Sequence, residues 1–212
     1  MMTEKAHCAQ LRKLHFALRT ARKALPAHLP PLFALTDPAR TPELTVYANA
    51  LPNGTGLIYR HFGAPDAKQT AQKLVKIARR RRLRVLIGND PKLAIAVGAD
   101  GVHWPERRIA EARYWQGRFA LQTGAVHSRQ GVQRAAKSCL DAALLSTIFS
   151  SNSPTASPPI GARRFQRLAK SSPLPLYALG GLNPNNMQKV AKSGGLAAID
   201  GLSVLMDKNF KA

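Results

Sequence analysis

From Leu32 onward, short runs of consecutive apolar residues alternate with stretches whose apolar positions recur every three or four residues. Runs of the first kind predict buried strands, and stretches of the second predict amphipathic helices. The strands fall at Leu32–Leu35, Gly56–Arg60, Arg84–Ile87, Gly101–His103, Phe119–Gln122, Ala142–Ser146, Leu174–Leu179 and Ala197–Leu202. Helical patterns cover Ala67–Arg81, Pro91–Val97, Arg107–Tyr114, Ser128–Ser138, Ala162–Lys170 and Pro184–Lys192. This alternation predicts an α/β protein with a parallel sheet. About eight units in roughly 180 residues fit a small (β/α)8 TIM barrel. An open doubly wound sheet would use fewer strands and a glycine-rich first turn, which this chain lacks. Thr41–Ala50 is short for a helix and holds β-branched residues.

The first thirty residues follow a different pattern. Leu11, Leu14, Leu18, Ala21 and Leu25 form one apolar stripe, and Arg12, Lys13, Arg19, Arg22 and Lys23 occupy the other face. That is one basic amphipathic helix, which Pro26, Pro30 and Pro31 bring to an end. The organisation expected is therefore a helical extension over 1–30 and a barrel domain over 31–212. The extension holds no continuous apolar stretch of the signal-peptide kind.

Composition narrows the class. An apolar content of 45% can fill a core, so disorder is excluded as the dominant state. Apolar runs such as Leu93–Val97 are far too short to span a bilayer, so no membrane association is expected. Two cysteines, Cys8 and Cys139, make no disulfide framework and suit a cytoplasmic protein. The 32 Lys+Arg against 11 Asp+Glu leave a net charge of +21, which points to phosphate-bearing partners. The cation run Arg79–Arg82 with Arg84 ends a helix, where positive charge suits the dipole. No aromatic residues interleave with it, so nucleic acid is not the expected partner.

A barrel carries its chemistry at the C-terminal ends of its strands. Those ends here hold Thr36 and Asp37, Arg60 and His61, Asn89 and Asp90, His103, Thr123 and His127, Ser146 and Thr147, Gly180 and Gly181, and Ser203. Arg60 can grip a phosphate through two donors. Asp90 is a hard oxygen ligand for Mg²⁺ and, standing before Pro91, also a helix N-cap. Gly180-Gly181, with Asn183-Pro184 opening the next helix, reads as a phosphate site or as a plain turn into that helix. The Ser150–Pro159 stretch, rich in Ser and Pro, reads as a surface loop or a mobile lid over the mouth.

Several segments together resemble the thiamine phosphate synthase/TenI family. They are Ala34–Asp37 (ALTD), Leu57–His61 (LIYRH), Gly88–Glu106 (GNDPKLAIAVGADGVHWPE), Ala125–Ser128 (AVHS) and Ala178–Val190 (ALGGLNPNNMQKV). The resemblance covers roughly residues 32–205. It implies a (β/α)8 barrel that joins hydroxymethylpyrimidine diphosphate to a thiazole phosphate and releases pyrophosphate. By this match Arg60 and Asn89 hold the diphosphate, Asp90 binds Mg²⁺, His103 lines the pocket, and Gly180 and Gly181 hold the thiazole phosphate with help from Ser203. His127 matches the catalytic histidine of the TenI branch. The implied partners are phosphorylated pyrimidine and thiazole molecules, and a homodimer is among the assemblies this allows.

The departures fall on charged positions. The family pattern Gln-aromatic-Arg-Glu-Lys is here Ile58-Tyr59-Arg60-His61-Phe62. Arg108 stands at or near a second metal aspartate, Ala125 replaces a serine, and Pro154 replaces a lysine. His61 and extra arginines are the candidates to replace the lost lysines, and Glu106 the candidate second metal ligand. Three functions follow as alternatives: a rewired synthase, a TenI-like thiazole tautomerase, and a non-catalytic binder of phosphorylated ligands.

Overall fold

The computed structural model describes residues 3–41, 43–151 and 157–206. The eight strands are β1 Leu32–Leu35, β2 Gly56–Tyr59, β3 Arg84–Gly88, β4 Gly101–Trp104, β5 Leu121–Val126, β6 Ala142–Leu145, β7 Leu176–Ala178 and β8 Gly195–Ala198. They pair in parallel in sequence order, and β8 returns to β1 to close the barrel. The α-helices are α1 Glu4–Lys23, α2 Leu44–Ala50, α3 Ala67–Arg81, α4 Pro91–Val97, α5 Arg129–Lys137, α6 Gly161–Lys170 and α7 Gln188–Ala191. Two 3-10 helices, Glu106–Trp115 and Asp200–Leu205, follow β4 and β8. Among the described residues, no helix is long and apolar enough to cross a membrane.

Phe33, Leu35, Ile58, Leu86, Leu144 and Tyr177 fill the barrel interior. A larger apolar layer lies between the strands and the outer helices. Ile58 is wholly buried inside the barrel, so this position is part of the packing. Leu25 and Leu29 pack onto the interior core from the face where the strands begin. Arg22 holds this plug by donating to the carbonyls of Leu25, Pro26 and Leu29.

Helix α1 packs against α7, β8 and the closing 3-10 helix. It stands where an eighth outer helix would, since β8 is followed by a 3-10 helix of six residues. Leu14, Ala17 and Ala21 of its apolar stripe are completely buried.

The structure shifts several predicted boundaries. Strand β8 begins at Gly195, where the Tyr177 ring would lie 2.2 Å from any Cβ. Strand packing thus demands glycine at this position. The strand ends at Ala198, so Ser203 falls in the 3-10 helix that follows. The expected helix at Pro184 begins only at Gln188 and has four residues. The preceding turn is held by side chains instead: Asn183 N–H donates to Asn186 Oδ1, and Asn186 Nδ2 donates to the Gly181 carbonyl. Thr41–Ala50 does contain a helix, α2, with Tyr47 and Ala48 buried in place of a strand face.

Candidate active site

The C-terminal mouth of the barrel holds two cavities. One of about 640 Å³ is lined by residues that include Arg60, His61, Asn89, Asp90, His103 and Arg107. The other, about 250 Å³, is lined by Arg40, Ser150, Gly180, Gly181, Asn183 and Asp200, among others. The structure therefore brings the β2, β3 and β4 candidates together and places Gly180 and Gly181 in a second compartment. Ser203 lies with neither group. It lines side pockets beside Tyr47 and beside Asn185, because the chain leaves β8 earlier than its apolar run suggests.

Arg60 is fixed at the rim of the larger cavity. Its backbone N–H donates to Thr36 Oγ1 at 2.9 Å and its Nε to the Thr36 carbonyl at 2.7 Å. Its Nη2 lies 3.2 Å from Asp37 Oδ2. Phe62 covers the guanidinium at 5.4 Å, a cation–π contact that stiffens the group. Asp37 also receives Arg40, which reaches on to Asp200. The Arg40 hydrogen bond, with help from both arginine charges, holds the Asp37 carboxyl below the usual range. Arg40, which the strand-end inventory passed over, is the cation of the smaller cavity. The spacing Asp37-x-x-Arg40 just past a strand end was its one sequence signal.

Asn89 takes a left-handed backbone, φ 60°. Its N–H donates to the His103 carbonyl, and its own side-chain oxygen accepts from Arg108 Nη1 at 2.6 Å. Asp90 serves as N-cap of α4, accepting the Leu93 N–H at 2.8 Å through Oδ1. Its Oδ2 lies 3.6 Å from His61 Nε2. His61 Nδ1 accepts the Gly63 N–H at 3.0 Å, so the neutral ring carries its proton on Nε2, toward Asp90. His103 is buried against Thr123 Oγ1 at 2.9 Å. Burial first, then the Arg60 charge, pushes its pKa down to about 3. This imidazole is therefore neutral and contributes shape and one hydrogen bond rather than charge.

Glu106 does not line the cavity that holds Asp90. Glu106 Oε2 lies 2.6 Å from His127 Nδ1 and also accepts the His127 backbone N–H, while Oε1 takes Arg134. Gly131 makes this possible, since a Cβ there would stand 2.5 Å from Glu106 Oε1. With both oxygens engaged, Glu106 does not fit as a metal ligand, and it orients His127 instead. Arg108 pairs with Glu111 and crosses Trp104 at 5.8 Å. Among the described residues no three His, Cys, Asp or Glu side chains form a metal-holding group. The side chains fit at most a single-carboxylate ion on Asp90 that takes its other ligands from phosphate, as Mg²⁺ commonly does. Ala125 lines the larger cavity, and Pro154 lies outside the described residues.

Gly180 and Gly181 have φ of 96° and 64°. At Gly181 a Cβ would meet the Ser150 carbonyl oxygen at 2.1 Å, so close approach of the β6 loop already demands glycine. Their carbonyls are taken by Phe149 N–H and Asn186 Nδ2. Among the described residues, their own N–H groups meet no protein acceptor. Unmatched donors at the edge of a cavity form an anion-binding concavity. The short α7 adds little dipole to it, contrary to the sequence reading of a helix opening at Pro184.

The comparisons with known proteins agree with this architecture. Residues 32–203 match the family model described as thiamine monophosphate synthase. The thiamine-phosphate synthase of Alcanivorax borkumensis is 28% identical over 183 residues, covering 82% of this chain and 84% of the relative. That of Lysinibacillus sphaericus is 32% identical over 154 residues, covering 70% and 68%. A solved thiamine phosphate pyrophosphorylase from Pyrococcus furiosus superposes with a TM-score of 0.69 at 20% identity, over 85% of this chain and 96% of that one. That likeness speaks for the fold, and the family match rests on sequence over most of the barrel: the chain belongs to the thiamine monophosphate synthase family.

Proposed function

We propose that the protein is a transferase that joins hydroxymethylpyrimidine diphosphate to a thiazole phosphate and releases pyrophosphate. The observation that carries this reading is the pair of cavities at one barrel mouth, a cation-lined one beside Arg60 and a glycine-walled one beside Gly180 and Gly181. A two-substrate condensation of phosphorylated pieces needs two such compartments. In the larger one, Arg60, His61 and Arg107 would stabilise negative charge as the C–O bond to diphosphate breaks. Asn89, held by Arg108, and neutral His103 would orient the pyrimidine end. The N–H groups of Gly180 and Gly181 would fix the thiazole phosphate so that its ring nitrogen attacks the exposed carbon. Mg²⁺, entering with the diphosphate, would find its protein carboxylate in Asp90 and would add charge neutralisation to the leaving group.

The test is direct. Purified protein with both substrates and Mg²⁺ forms thiamine phosphate and an equal amount of pyrophosphate. Intact substrates after prolonged incubation would remove the reading.

The Glu106–His127 pair supports a second reading, a thiazole tautomerase of the TenI kind. A histidine aligned by a carboxylate can shuttle a proton at neutral pH without a metal. A thiazole phosphate carboxylate incubated alone distinguishes the two, because only the tautomerase isomerises it. A non-catalytic binder would retain ligands and turn over none.

A further inference from the structure

The surplus charge is arranged by the fold. In this barrel each outer helix runs opposite to the strands, so helix C-termini collect at the face where the strands begin. Acids stand at helix starts: Glu4 in the first turn of α1, Asp66 before α3, Asp90 before α4 and Glu106 in the first 3-10 helix. The last turns of α1, α3, α5, α6 and α7 hold Lys or Arg and no acid. Helix dipoles favour the basic last turns of these five helices, although arginines also stand in the first turns of α5 (Arg129) and α6 (Arg163, Arg164). The closed barrel then sums the helices into one ring. Lys23, Arg80, Arg82, Arg118, Lys137 and Lys170 are all exposed around it.

Little opposes that ring. Asp100 and Asp141 are the carboxylates at the strand starts, and both accept backbone N–H groups, from Val85 and Gln122. Asp100 also pairs with Arg84. The Pro26–Pro31 plug closes the centre, so this is a surface rather than a pocket. Tyr114, 85% exposed, sits in the last turn of the first 3-10 helix. Its neighbour Arg113 caps α5 by donating to the Lys137 carbonyl. An exposed ring thus stands among the cations, although the sequence shows no aromatic inside the Arg79–Arg84 run.

We infer that the strand-start face of this barrel is a docking surface for a single-stranded RNA backbone, separate from the catalytic mouth. Arginine forks match phosphodiester oxygens, and an exposed tyrosine can stack a base. A membrane surface fits less well, because interfacial binding needs an apolar face beside the cations, and this face is dominated by charge. The inference stands apart from the proposed reaction, which uses none of these residues.

Fluorescence anisotropy of a labelled mixed-sequence single-stranded RNA against the full chain tests it. Six phosphate contacts predict a log–log salt slope of about −4. The variant Arg80→Glu/Arg82→Glu/Lys170→Glu should weaken binding more than about tenfold and flatten the slope by about 2. Tyr114→Ala should weaken it about tenfold, as the loss of one stacked base does. Arg12→Glu/Arg163→Glu/Arg164→Glu, with the same net charge but on other surfaces, should change it less than about threefold. Circular dichroism confirms folding of each variant. Should the Glu variant fail to fold, Arg80→Gln/Arg82→Gln/Lys170→Gln must still lower affinity and slope. The inference is overturned if RNA does not bind at low salt or if the control variant loses as much as the face variant. It is equally overturned if phosphatidylserine vesicles displace the RNA completely.

Discussion

Glu106 Oε2 lies 2.6 Å from Nδ1 of His127, across 21 residues of chain. The same carboxylate takes the His127 backbone N–H and the Arg134 side chain. One acid thus ties the ring, the end of β5 and, through Arg134, helix α5 together. Glu106→Ala should lower stability by about 1–2 kcal/mol, the usual worth of charge-assisted hydrogen bonds at a partly buried site. Glu106→Gln should recover part of that, and urea unfolding measures both. His127→Asn should leave stability nearly unchanged while abolishing any thiazole isomerisation, so the two variants separate anchoring from chemistry.

Gly181→Ala tests the glycine wall. The backbone is left-handed there, and Ser150 O occupies the space of a Cβ. Strain and displacement of the β6 loop should cost about 1–3 kcal/mol. Calorimetry with the thiazole phosphate should show weakened binding, because the N–H pair moves with the loop.

Arg60→Lys should behave as a loss. A lysine cannot reach the Thr36 carbonyl, Asp37 and a phosphate with one fixed fork. Turnover in the coupled pyrophosphate assay should fall by about 100-fold or more, the scale of losing a preorganised charge-stabilising donor. Phe62→Ala, which removes only the cover over that guanidinium, should have a smaller effect in the same assay.

The acid side of the stability profile should carry the signature of His103. Its folded pKa of about 3 lies well below the ordinary imidazole value of about 6.5. The unfolded chain therefore binds more protons between these values, so stability is complete above about 6.5 and declines as pH falls toward 3. The decline from this one group is at most about 1.4 kcal/mol per pH unit. His103→Leu should flatten that part of the profile in urea titrations at stepped pH. Asp37, also depressed, begins to lose its contribution only as pH falls below about 3.8, so the higher part of the decline belongs to His103.

Much of the barrel was legible because its signals are local. Leu32–Leu35 and Ala67–Arg81 match the structure residue for residue, since an apolar run and a 3.6-residue stripe each report their own burial. The Asp90-Pro91 start of α4 was equally plain, for a cap and a fixed φ act within one turn. Gly195 carried no such local signal, because its glycine answers to the Tyr177 ring on the neighbouring strand. Glu106 escapes a purely local reading for the same reason. Its type suits a metal, and only the fold shows that His127 and Arg134 already occupy its oxygens.

The sequence by itself determined the alternation of strands and helices, the family, and the residue types at the mouth, all of which depend on neighbours along the chain. Tertiary structure alone decided which charges meet. Closing β8 onto β1 placed Arg40 between Asp37 and Asp200, and the same fold bound Glu106 to His127 and Arg134 and gathered basic helix ends from across the chain onto one face. Coulomb and hydrogen-bond energies depend on distance through space, which the order of residues does not state.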